Sequence, residues 1–271
     1  MSSYLITGAS RGLGWEFVRQ LSSDPKNTVI GLVRDKPATE KRVTQELESR
    51  PNIHILQADI TDYSALQAAV EQTATITDGA LDYLIANAGY VSKFDAYDAI
   101  GVLGQQPEAL EEDLLRAVRV NVAGNIHLFN LFLPLILKGQ AKKVVAISTG
   151  MADADFVAKF KIEVGSLYSI SKAALNTAVA KFSAQYAKDG VLFFSISPGL
   201  VDTGNLGGAT PEQMSGLARM LEGFKEYAAH FTGPITPEVS VEHVLSVIYK
   251  ASVENGDGGS FVSHFGNKQW L

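Results

Sequence analysis

Two side chains four positions apart, Tyr168 and Lys172 in the run Tyr168-Ser169-Ile170-Ser171-Lys172, could perform acid–base chemistry on an oxygen atom. The surrounding pattern is strongly helical, and residues four apart share a helix face, so phenol and ammonium can meet at one site. A cation beside a phenol stabilises phenolate and lowers its pKa from a usual value of about 10. A phenol tuned in that way can donate a proton to an oxygen whose carbon receives a hydride. Alone, the pair is weak evidence, because helices often bring a packed tyrosine and a snorkelling lysine together.

A second stretch with chemical content is Thr7-Gly8-Ala9-Ser10-Arg11-Gly12-Leu13-Gly14. It follows an apolar run at once and opens a helical pattern. Glycines there allow a tight turn, expose backbone N–H groups to a pyrophosphate and let a helix pack closely on a sheet. The spacing is G-x-x-x-G-x-G rather than the commoner G-x-G-x-x-G. The plainer reading is a turn that only joins strand to helix. Dinucleotide sites that prefer NAD place an acid after the second strand, on the ribose 2′-hydroxyl. Here that strand ends Leu32-Val33-Arg34-Asp35, so Arg34 holds the decisive place and Arg11 lies in the glycine turn. Two guanidinium groups suit a 2′-phosphate, which points to NADP(H). Asp35, one residue later, could serve NAD instead.

Elements that could hold these residues alternate along the chain. Strand patterns cover Tyr4–Thr7, Thr28–Val33, Ile53–Gln57, Leu81–Ala86, Lys143–Ser148 and Val191–Ser197. Several are almost wholly apolar, as parallel strands buried on both faces require. Helical patterns cover Leu13–Ser22, Ala38–Glu48, Tyr63–Thr75, Leu110–Leu137 and Ser166–Lys188, with Thr61-Asp62 as an N-cap region for the third. The alternation predicts an α/β fold, a doubly wound parallel sheet (Rossmann-like) of about seven strands with helices on both faces. Residues 200–237 are rich in Gly, Pro and Thr around one amphipathic stretch, Glu212–His230, and read as a substrate-covering flap within a single domain spanning 1–271. A helix over Val239–Val253 and a strand over Ser260–Val262 complete the sheet.

The whole chain resembles the short-chain dehydrogenase/reductase family. The resemblance is carried by TGASRGLG at 7–14, Asp59 after the third strand, NAG at 87–89, Asn121 in VNVAG, AISTG at 146–150, YSISK at 168–172 and SPGLVDT at 197–203, all in the family's order. It implies an NADPH-dependent carbonyl reductase or ketoreductase reducing a ketone or aldehyde to an alcohol, with Tyr168 as proton donor. It also implies that Gly8, Ser10, Arg11, Gly12, Leu13, Gly14 and Arg34 hold the cofactor, with Asp59 and Ile60 near the adenine. Asn87, Ala88 and Gly89 would line it and steady the centre of the sheet. Asn121 would hold a water linking Lys172 to solvent, and Lys172 would also grip the nicotinamide ribose. Pro198, Gly199 and Val201 would flank the nicotinamide, and Thr203 would contact its carboxamide or the phosphates.

Two departures stand out. The family ends its fifth strand in two serines, the second of which bonds the substrate carbonyl; here the pair is Ser148-Thr149. Thr149 keeps a hydroxyl but adds a methyl and a stiffer χ1. Ser148 could take the role only if the strand end were rotated. Secondly, Tyr168 lies nineteen positions after Thr149, more than is usual, and Tyr90–Pro107 is also long. The extra stretch, Met151–Gly165, reads either as part of the substrate wall or as a neutral insertion. Leu206, Met214, Leu217, Met220 and Phe224, with Phe156 and Phe160, suit an apolar or aromatic substrate, and equally suit helix packing.

Bulk properties narrow the partners. The chain has 271 residues, 46% hydrophobic and 19% charged, with a formal net charge of −6. No basic stripe favours nucleic acid. There are no cysteines, which excludes disulfides, thiol catalysis and cysteine-ligated metal; no metal is expected. The longest apolar run, Leu131–Leu137, has seven residues and contains Pro134, far short of the roughly 20 that span a bilayer. Met1-Ser2-Ser3 leads straight into Tyr4-Leu5-Ile6 without an export signal, so a cytoplasmic protein is expected. The family often assembles through its two long helices, leaving homodimer and homotetramer open. The rival readings are a dinucleotide-binding regulatory or signalling protein with little turnover, and a sugar-nucleotide epimerase or dehydratase, which usually has a larger C-terminal domain.

Overall fold

The computed structural model describes residues 1–204 and 210–271; Leu206 therefore lies outside the described residues. Seven strands form one parallel sheet: β1 (Ser3–Thr7), β2 (Thr28–Val33), β3 (Ile53–Gln57), β4 (Tyr83–Ala86), β5 (Lys143–Ile147), β6 (Leu192–Ser197) and β7 (Phe261–Ser263). Their spatial order is β3-β2-β1-β4-β5-β6-β7. The order reverses between β1 and β4, and ligands of such sheets bind in the crevice beyond the strand carboxyl ends at that switch.

Adjacent residues of each strand feed opposite cores, as the twofold period of a strand dictates. Ile6, Val145 and Phe194 join one cluster, together with Phe17 and Val18 of α1 (Gly12–Leu21), Val43 of α2 (Lys36–Glu46), and residues 241–251. Leu5, Val144 and Phe193 join the other. There they meet Leu66 of α3 (Tyr63–Ile76) and a set of aromatic and aliphatic residues between 128 and 179. Asp62 caps α3, its carboxylate accepting from the Ala65 amide at 3.0 Å.

The expected long helix over Leu110–Leu137 is interrupted in period. After a short α4 (Ile100–Leu103), α5 (Pro107–Val118) passes through a π turn at Arg119–Ala123 into α6 (Gly124–Ile136). Buried Asp113, Ala117, Asn121, Asn125 and Phe129 recur every four residues. On a uniform α-helix a stripe of that period drifts by about 40° at each step. The wider turn removes much of the drift and keeps the stripe on the protein side. Asn125 Nδ2 donates to the Asn121 carbonyl there, at 2.8 Å.

The long insertion is structured too. A 3₁₀ turn (Gly150–Ala152) leads to α7 (Ala154–Phe160), and α8 (Ser166–Tyr186) follows. The stretch expected over Glu212–His230 is α9 (Pro211–Tyr227), and the final helix is α10 (Pro237–Lys250). Phe156, Ile162, Val164, Met220, Phe224 and Trp270 form a third apolar cluster, apart from the two cores on the sheet. Phe160 and Leu217 pack against it. Of the apolar residues that could have lined a substrate wall, these five (Phe156, Phe160, Leu217, Met220, Phe224) are engaged in packing. Met214 is exposed.

Candidate active site

The glycine turn closes tightly at the end of β1. Gly8 and Gly12 have φ of +69° and +54°, in the left-handed region that favours glycine. A Cβ on Gly14 would lie 2.2 Å from the Gly8 carbonyl oxygen and 2.6 Å from Asn87 Nδ2, so no side chain fits there. Asn87 Nδ2 donates to the Thr7 carbonyl at 3.0 Å, and the Ala88 amide donates to Thr7 Oγ1 at 2.9 Å. Asn87 and Ala88 thus tie the exits of β1 and β4 together.

The opening of α1 fits a pyrophosphate. Arg11 stands at its N-cap with extended backbone and makes no side-chain cap, so the first-turn amides of Gly12, Leu13 and Gly14 face outward from a positive helix end. Ser10 and Arg11 are exposed. Thr203 approaches from the far side, its Cγ2 being 3.5 Å from where a Cβ on Gly12 would stand. Arg34 is exposed at the end of β2. Asp35, the residue that complicated the choice of dinucleotide, is committed elsewhere: it caps α2, accepting from the Ala38 amide at 3.0 Å. Arg42 of α2 had drawn no notice in the sequence. It lies 4.1 Å over the Trp15 ring and donates to the Ser10 carbonyl at 3.0 Å, bracing the turn from behind. Asp59, after β3, accepts from the Thr61 amide and hydroxyl, and Ile60 is buried against Gly124.

The acid–base residues converge at the ends of β4 and β5. A Cβ on Gly89 would stand 3.3 Å from Asn121 Oδ1 and 3.4 Å from Lys172 Nζ. Lys172 is buried, and its ammonium donates to the Ile147 carbonyl at 2.7 Å. Asn121, wholly buried in the π turn, accepts from the Tyr90 amide at 2.7 Å. Its Nδ2 donates to the Tyr90 carbonyl and to Ser171 Oγ, and Ser171 in turn donates to the Tyr168 carbonyl. Ser171 and Tyr90, both overlooked in the sequence, therefore join Asn121 to the start of α8.

The expected lowering of the Tyr168 pKa is corrected. Lys172 Nζ lies 5.8 Å from the centre of the Tyr168 ring and is bonded elsewhere. Burial dominates instead and pushes the phenol up to about 12. The same desolvation pulls Lys172 down to about 8. Tyr168 accordingly keeps its proton at neutral pH, while Lys172 remains mostly a cation.

At the end of β5, Ser148 is 2% exposed and its hydroxyl has no partner among the described residues. Thr149 is partly exposed, and its Oγ1 accepts from the Met151 amide at 3.3 Å. Gly150 donates to Ser197 Oγ at 3.0 Å and packs against Trp270, where a Cβ would meet the Trp270 Cβ at 2.7 Å. The Trp270 indole donates to Asp153, the cap of α7, at 3.2 Å. Beyond β6, the Pro198 carbonyl accepts from Ser240 Oγ at 2.7 Å. Gly199 takes φ +83° and Val201 bridges Ile235.

A parallel sheet with a glycine turn at its switch point and a Tyr–Lys pair at the strand ends defines a nucleotide-dependent oxidoreductase architecture. The profile described as short chain dehydrogenase matches residues 3–213. The short chain dehydrogenase virK of Hypocrea virens is 65% identical, with both chains covered completely. The short-chain dehydrogenase/reductase iacC of Pestalotiopsis fici is 52% identical, again over the whole of both chains. The chain belongs to the short-chain dehydrogenase/reductase family. In fold it is similar to the carbonyl reductase Sniffer of D. melanogaster, with a TM-score of 0.77, 23% identity and 98% of each chain covered. It is likewise similar to an NADPH-bound carbonyl reductase from chicken fatty liver, with a TM-score of 0.74, 22% identity and 98% of each chain covered. Among the described residues no helix is long and apolar enough to cross a membrane.

Proposed function

We propose that this protein reduces a ketone or aldehyde to an alcohol with NADPH, and that Tyr168 supplies the proton. The observation that carries the reading is the convergence of Lys172 and Asn121 beside Gly89, with the Tyr168 ring 5.8 Å from Lys172 Nζ and its phenol held protonated by burial. The glycine turn, the α1 amides, Arg11 and Arg34 would hold the dinucleotide, and Asp35, occupied as a helix cap, leaves the 2′ position to the arginines. Bound there, the reduced nicotinamide supplies the hydride. Thr149 Oγ1 accepts from a backbone amide, which leaves its own hydroxyl proton for the substrate oxygen. Tyr168 donates from Oη to that oxygen. Lys172 holds positive charge nearby, which favours the phenolate left after donation. Ser148, enclosed in the sheet, is in no position to share this task unless the strand end rotates. An NADPH-oxidation assay over ketones, diketones and quinones, with NADH in parallel, tests the reading. Tyr168→Phe should lower turnover at least about a thousand-fold while sparing NADPH affinity. Bound NADPH with no carbonyl turned over would favour a regulatory dinucleotide-binding role.

A further inference from the structure

Asp95 lies in the long segment after β4, outside every motif of the family pattern. It is 1% exposed, and its carboxylate accepts from the Leu167 amide at 3.0 Å and the Tyr168 amide at 2.8 Å. Its own carbonyl accepts from the Gly165 amide at 3.0 Å. Helices normally meet their first free N–H groups with a Ser, Thr, Asp or Asn at the N-cap. At α8 the N-cap is Gly165, with φ +68° and no side chain to offer. The cap therefore comes from a residue more than seventy positions upstream. A buried carboxylate is costly to desolvate. Burial pushes the Asp95 carboxyl up, opposed by its bonds to the Tyr168 and Leu167 amides.

The same segment is fastened at both ends. At its start, the Tyr90 backbone exchanges two hydrogen bonds with the Asn121 side chain, and Tyr90 Oη donates to Asp113 at 2.7 Å. At its far end, Asp98 accepts from Gln213 Nε2 of α9 at 2.9 Å. Gly216 of α9 lies so close to the segment that a Cβ there would be 2.5 Å from the Tyr97 carbonyl oxygen. Residues 90–98 thus run from Asn121, past the backbone of Tyr168, to α9.

We propose that Asp95 is a positioning residue: by capping α8 from the 90–98 segment it sets Tyr168 in register with Asn121 and with α9. The kinetic part of this proposal rests on the carbonyl-reductase reading; the structural part does not. A local Ser or Asp at the N-cap would stabilise the helix equally well, but would not tie it to Asn121 and α9.

Two measurements test it on the full chain. Amide hydrogen exchange at Leu167 and Tyr168 should quicken about ten-fold or more in Asp95→Ala, with the amides of β1 and β4 unchanged. Unchanged exchange at those two amides overturns the proposal, whether or not any carbonyl is reduced. With a carbonyl that the native protein turns over, Asp95→Ala should lose about ten- to a hundred-fold in kcat, as small displacements of reacting groups do. NADPH affinity should stay within about two-fold, because the phosphate turn is separate. Asp95→Asn keeps one acceptor for the two amides, so its kcat should lie between the two. It also serves if the alanine variant fails to fold. A folded variant of either kind with native kcat, or one in which NADPH affinity falls as far as kcat, overturns the proposal.

Discussion

The proposed cofactor side and the proposed substrate side of this molecule are built on different principles. On the cofactor side one contiguous octapeptide, residues 7–14, makes the turn, exposes the amides and begins the helix. Its closest supports, Asn87 and Ala88, sit on the neighbouring strand exit. On the substrate side, the third apolar cluster is assembled from separate stretches, 151–164, 217–231 and 261–271, with Leu200. The first side is specified locally, and the second only when distant segments meet. Damage to one should therefore leave the other largely intact.

Trp270→Ala offers the largest test of that separation. The residue is 2% exposed, stacks on Phe261 at 4.4 Å and backs Gly150. Its truncation should cost about 3–5 kcal/mol of stability and raise the KM for the carbonyl, with NADPH affinity nearly native. Calorimetry with cofactor titration checks this, and a parallel loss of NADPH binding would dissolve the distinction. Gly14→Ala is the converse test. Overpacking against the Gly8 carbonyl should cost about 1–3 kcal/mol and weaken NADPH binding by about a hundred-fold. The third cluster should stay folded by tryptophan fluorescence; native NADPH affinity would mean that the turn is not the phosphate site.

Arg34→Leu refines the cofactor side alone. The KM for NADPH should rise about ten-fold, close to 1.4 kcal/mol, while the KM for NADH barely changes. Equal effects on both would remove the 2′-phosphate assignment. The smallest expected effect is on pH dependence. Lys172, pulled down to about 8 by burial, is charged below that pH and neutral above it. Reduction should therefore fall several-fold as pH rises from about 7 to 9. Tyr168, pushed up to about 12, stays protonated throughout. A pH–rate profile that is level to pH 9 would mean that the Lys172 charge is not needed.

The same contrast explains what could be read from the sequence. The bounds of β2 and β3 agree residue for residue with the strand patterns; for β2 the reason is that parallel strands buried on both faces leave an unbroken apolar signal. The seven-strand parallel sheet and the family motifs were legible for that reason. The π turn was not, since its effect is a change of period within an otherwise uniform helical pattern. Phe156, Phe160, Leu217, Met220 and Phe224 read equally as ligand wall or as packing, because their meeting at one cluster depends on segments far apart in the chain. Asp95 left no local trace because its partners, Leu167 and Tyr168, are 72 and 73 residues away. The shift of Tyr168 was misjudged in direction: spacing places a lysine near a phenol, but it does not reveal how dry the site is.

The π turn at 119–123 also gives the long helix one place where its length can change. Its five residues turn through about the angle that four make in a regular α-helix, so deleting one there would restore the α period and leave Leu128, Phe129 and Phe132 sealed against the sheet. The same deletion at the start of α6 has no such slack and would rotate everything beyond it by about 100°. Phe129 and Phe132 would then swing toward the flank, and polar neighbours such as Asn130 would turn inward.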